Sequence, residues 1–117
     1  MPKTVYAVQT ELTTGGKNYS STEETNAYPT EDEAVITAIN TFEDLRKELK
    51  TRHSTDPEYS AWVTVRVVIT QASEEENAEF CCRFENTELW YDRETFARDS
   101  MECPVEVFDY DTSEEEA

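Results

Sequence analysis

Residues 31–50 can form little other than an amphipathic helix, and a helix with one apolar stripe needs a second layer to cover it. Thr30 followed by Glu33 has the spacing of a capping box, in which each residue's side chain satisfies the other's free backbone N–H. Glu31, Asp32 and Glu33 fall at the positive end of the helix dipole, and Arg46, Lys47 and Lys50 at its negative end. Val35, Ala38, Ile39, Phe42, Leu45 and Leu49 recur at three- and four-residue steps. That stripe fits the face of a sheet, and the rest of the chain supplies the strands.

Residues 61–70, AWVTVRVVIT, are the strongest strand. Ala61, Val63, Val65, Val67 and Ile69 point one way, and Trp62, Thr64, Arg66 and Thr70 the other. Residues 4–12 read as a strand with Tyr6, Val8 and Leu12 on one face and Val5 and Ala7 on the other. Residues 78–84 and 88–92 read as a hairpin turning at Glu85-Asn86-Thr87, with Phe80, Cys82 and Phe84 inward. Asp92 is placed to cap a short helix, 93–100, anchored by Phe96. A last strand, 104–110, alternates Val105 and Val107 against Glu106 and Phe108. Residues 13–29 read as a long loop closing at Pro29, and residues 112–117 as a disordered acidic tail. The expectation is an α+β fold: one domain over residues 1–111, a mainly antiparallel sheet, one long helix on one face and a short second helix.

A chain of 117 residues is enough for one domain with a modest core. Its hydrophobic share, 37%, is low and its charged share, 32%, is high, but 13 aromatics argue against wholesale disorder. No stretch nears the roughly 18 apolar residues that span a bilayer, and the start, Met-Pro-Lys-Thr-Val-Tyr, has no apolar signal core, so a cytoplasmic location is expected.

The net charge is −17, and it is unevenly spread. Eleven acids and seven bases leave −4 in residues 1–70, whereas sixteen acids and three bases leave −13 in residues 71–117. Direct attraction to nucleic acid or to an anionic membrane is excluded by the sign of that field, so the expected partner is basic. The candidate partner-binding residues are the acids of the later elements: Glu74, Glu75, Glu76 and Glu79 before the hairpin, and Glu85 and Glu88 within it. Asp92, Glu94, Asp99 and Glu102 belong to the short helix and its ends, and Glu106, Asp109 and Asp111 to the last strand. On a strand, residues two apart point the same way about 6.8 Å apart, which suits Asp109 with Asp111, and Glu102 with Glu106 at twice that step. Such rows resemble the single negative charges of a phosphate backbone, and their carboxylates are chemically able to pair with the Lys and Arg that normally hold phosphates.

In size and acidity the chain resembles the bacterial and phage DNA-mimic proteins, including the neisserial kind that binds the histone-like HU protein. The resemblance rests on composition and length. These proteins share no sequence motif, so no residue role is carried over, and the mixed α/β pattern departs from the all-helical mimics. It implies a non-enzymatic protein whose acidic surface occupies the DNA-binding site of a basic protein, HU-like or nuclease-like, with no cofactor. The alternative is an acidic inhibitor or immunity protein of a nuclease or of a restriction- or CRISPR-type enzyme. Adaptation to high salt fits less well, because such proteins favour Asp and here Glu leads by 20 to 7.

Three cysteines, with Cys81 and Cys82 adjacent, make neither a disulfide framework nor a paired zinc spacing; both read as reduced, with Cys82 inward. Nearby acids disfavour a nucleophilic thiolate. Asp109-Tyr110-Asp111-Thr112-Ser113 opens like a calcium loop but lacks the central glycine. His53, the single histidine, reads as a helix-end cation, and no serine lies in a G-x-S-x-G turn. Asn18-Tyr19-Ser20 is a glycosylation sequon without consequence in a cytosolic bacterial-type protein.

Overall fold

The computed structural model describes residues 3–15, 20–76, 80–102 and 104–116. The elements are β1 (Lys3–Thr14), β2 (Ser20–Tyr28), α1 (Glu31–Thr55), β3 (Ala61–Ala72), β4 (Phe80–Phe84), β5 (Thr87–Tyr91), α2 (Arg93–Glu102), β6 (Pro104–Asp111) and a closing 3-10 helix, Thr112–Glu116. Six strands form one sheet in the order β5-β4-β2-β1-β3-β6. The β2–β4 pairing is parallel, and the other four are antiparallel. This is the α+β class, with the long helix packed on the sheet. No helix among the described residues is long and apolar enough to cross a membrane.

The sheet is covered by α1 on one face and, over part of the other, by the hairpin and α2, so β3 contributes apolar residues to two cores. On the first face Ala61, Val63, Val65 and Val67 join Val8, Phe42, Leu49 and Tyr110 beneath α1. On the second, Val5, Ala7, Val68 and Ala72 pack under Cys82, Phe84, Leu89 and Tyr91 of the hairpin and Phe96 of α2. The sheet curls to close this second core: Trp90 of β5 exchanges two backbone hydrogen bonds with Ser73, just past the end of β3, at 2.7 and 2.8 Å.

The structure differs from the sequence reading at several points. The expected loop over 13–29 holds the end of β1 and the whole of β2. Strand β2, SSTEETNAY, buries only Ala27, so it shows no apolar alternation and its order comes from nine register pairs with β1. Helix α1 runs five residues past Lys50, to Thr55, and ends because Asp56 precedes Pro57 and leaves the helical region. Its last turn therefore carries Arg52 and His53, not Arg46, Lys47 and Lys50. The buried line is Ala34, Ala38, Phe42, Leu49 and His53, with Val35 and Leu45 packed beside it, so of the expected stripe Ile39 alone is exposed. The Thr30 cap is present, its hydroxyl accepting from the Glu33 amide at 3.2 Å. His53 Nδ1 lies 2.7 Å from the Tyr59 carbonyl, a buried structural contact that joins the helix end to the approach of β3.

In β6 Phe108 and Tyr110 pair with Val65 and Val63 and join the first core, Val107 is exposed, and Val105 packs on the same core beyond a register shift opposite Val67/Val68, so the expected alternation holds for Val105 and fails for Val107 and Phe108. The hairpin turns on Glu85 and Asn86, with φ of 45° and 66°, a two-residue turn that places a glutamate in the left-handed region. Ile69 and Phe80, expected inward, are partly exposed, although Phe80 still stacks on Tyr91.

The segment read as a disordered tail from Thr112 forms the 3-10 helix. Thr112 is buried, and its hydroxyl accepts from the Ala61 amide at 3.1 Å. The Tyr110 hydroxyl donates to Glu115 at 3.0 Å, and burial together with that bond pushes the phenol up to about 12. A domain boundary at residue 111 therefore cuts through packed structure.

Candidate functional site

The acids of the later elements do different local work. Asp92 caps α2: its Oδ1 accepts from the Thr95 amide at 2.9 Å, and that bond, with help from the Thr95 hydroxyl and the Glu94 amide, holds the carboxyl below its usual value. Asp99 accepts from Thr70 at 3.0 Å and lies 3.6 Å from Arg98, so it is turned to the sheet while Glu94 is exposed; residues five apart on a helix do not share a face. Asp109 accepts from Thr64 at 2.7 Å, and Asp111 from the Ser113 amide at 2.8 Å. Glu88 stands directly opposite Arg83 in the hairpin. Glu74, Glu75, Glu76, Glu85, Glu102 and Glu106 are exposed. Glu79 lies outside the described residues.

These acids do not form one row. Asn26 of β2 pairs with Arg83, and Tyr28 with Tyr6, itself opposite Ile69. The hairpin tip with Glu85 and Glu88 thus lies at the Ile69 end of the strands, together with Glu74–Glu76 beyond Ala72. Asp111 pairs with Trp62 at the other end, seven residues or about 24 Å away along β3.

The register assembles a feature that the sequence reading missed. The hairpin and α2 cover only part of the second face. Below them three rows cross β2, β1, β3 and β6: Thr25, Gln9, Arg66, Val107; then Glu23, Glu11, Thr64, Asp109; then Ser21, Thr13, Trp62, Asp111. Glu11 and Glu23 are directly opposed, an arrangement that costs stability unless it is compensated. Arg66 compensates it: Nη1 reaches Glu11 at 3.1 Å and Gln9 Oε1 at 3.0 Å, while the buried Gln9 amide donates to Glu23. Where these rows meet the covering layer there is a cleft of about 370 Å³, floored by Gln9, Glu11, Glu23 and Arg66 and walled by Phe80, Tyr91, Phe96 and Met101. Phe80 and Tyr91 stack at 5.6 Å, and Arg93 lies over Phe80 at 5.4 Å. Burial pushes the Tyr91 phenol above its ordinary value, a hydrogen bond with the Thr25 side chain opposes that, and neighbouring Glu23 adds to it.

Glu11 and Glu23 sit in the half of the chain whose net charge is only −4, so composition gives no signal for them. The signal lies in strand register, which needs β2 to be recognised as a strand. Comparison with family models, curated proteins and solved structures gives no match.

Proposed function

We propose that this protein is a DNA mimic: its acidic surface occupies the DNA-binding site of a basic DNA-binding protein and competes with DNA, without a catalytic step or a cofactor. A dimeric nucleoid protein of the HU type is the favoured partner. The supporting observation is the excess of sixteen acids over three bases in residues 71–117, of which those among the described residues are mostly exposed. Local pairing cannot neutralise such an excess, and the uncompensated charge repels itself, a cost to the folded state that a binding role would account for. Fixed carboxylates offer Lys and Arg the charge-assisted hydrogen bonds that phosphates offer, and they exclude DNA from the same surface by sign.

The test is competition. Fluorescence anisotropy follows a labelled duplex bound to purified HU protein at low salt. Adding the acidic protein is expected to release the duplex and to give an HU complex free of DNA on gel filtration. A duplex that stays bound under a large excess of the acidic protein contradicts the reading.

A further inference from the structure

We propose that the uncovered part of the sheet's second face, centred on Trp62, is where the basic partner docks; this rests on the proposed function and assigns it a surface. Several observations converge there. The hairpin and α2 stop short of the lower β2-β1-β3-β6 rows, in which Glu23, Trp62, Asp109 and Asp111 are exposed around a buried Thr13. Trp62 is 42% exposed at that end of β3, where its neighbours Ala61 and Val63 are fully buried on the opposite face. An aromatic ringed by polar groups is the usual anchor of a protein interface, and charged groups around it fix register and exclude wrong partners.

The charge around Trp62 selects the partner's chemistry. Asp111 is opposite it in β6, and the next row carries Glu23, Glu11 and Asp109. Arg66 is the one base in these rows and is engaged by Glu11 and Gln9, so the surface is net negative with its geometry held by hydrogen bonds. Asp109 is likewise fixed by Thr64. Neighbouring strands place Glu11 beside Glu23, and Asp109 and Asp111 share a face about 6.8 Å apart along β6, so several carboxylates face the Lys and Arg of a DNA-binding surface together. The hairpin-tip acids Glu85 and Glu88 lie at the far end and stand outside the docking surface.

Two measurements with purified HU protein at low salt test this. In a Trp90→Phe variant Trp62 is the remaining tryptophan, and its emission is expected to shift to the blue as HU is added. In competition with labelled duplex, Trp62→Ala and the pair Glu23→Gln with Asp109→Asn are each expected to weaken HU binding about tenfold or more. The pair Glu85→Gln with Glu88→Gln removes the same charge as the second variant and is expected to change binding less than threefold. Retained melting cooperativity in every variant separates lost contacts from lost fold. If the parent protein displaces DNA but the Trp62 emission stays fixed and the hairpin pair matters as much as the sheet pair, the docking surface is wrong and the DNA-mimic reading stands. If the parent displaces no DNA, both fall.

Discussion

At the scale of single residues, the same side-chain type serves opposite ends. Asp92 is spent on a helix cap and Asp99 on Thr70, whereas Glu94 and Glu102 are open to solvent. Counting acids cannot distinguish these, which is why the candidate list drawn from the sequence mixes structural and available carboxylates. Cys82 was legible, because an alternating strand places it beside Phe84 on the inner face, and it is buried there. Burial pushes its thiol up to about 11, with neighbouring Cys81 adding to the effect. The folded state therefore holds this proton at a pH where the unfolded chain, titrating near 9, has released it. Stability from this group is full below pH 9 and is lost as pH rises toward 11. At pH 8, peptide mapping after iodoacetamide treatment is expected to find Cys81 alkylated well before Cys82. Equal rates at the two positions would show that Cys82 is not enclosed.

Elements were read most reliably where one face is apolar and least reliably where burial is nearly absent. Helix α1 and strand β3 carry their own patterns, and both lie where the sequence places them, although Asp56-Pro57, not the last charged turn, ends the helix. Strand β2 has a polar sequence and exists through its neighbours, so no local period could reveal it. The closing 3-10 helix was hidden in the same way, because Thr-Ser-Glu-Glu-Glu reads as tail and its anchor is a contact with Ala61, 51 residues earlier. Replacing Thr112 by Val keeps the side chain's shape but removes the acceptor of that buried amide. We expect a loss of about 1–3 kcal/mol in chemical denaturation. An unchanged midpoint would mean that the segment contributes nothing to the fold.

On the scale of the whole molecule, the fold class followed from two packing demands: a stripe on a helix and apolar residues on a strand. What the sequence could not supply was the second core. Val5, Ala7, Val68 and Ala72 are divided between two strands far apart in sequence, and the layer over them is closed by the curl of the sheet that brings Trp90 to Ser73. The extent of that layer decides which part of the sheet stays open, and hence where Glu11, Glu23, Asp109 and Trp62 come together. A net charge of −17 on this frame repels itself. Moderate NaCl screens that repulsion and is expected to raise the melting temperature; a fall would indicate that specific ion pairs outweigh it.

The central claim is that fixed carboxylates replace phosphates on a basic protein, and the salt dependence of the complex tests it most directly. Ion pairs formed on binding release counterions, so log Kd for HU protein should rise linearly with log NaCl concentration. Isothermal titration calorimetry between about 50 and 200 mM NaCl is expected to show affinity falling by roughly a hundredfold or more, as phosphate contacts do. A dissociation constant that is the same at both ends of that range would contradict the account.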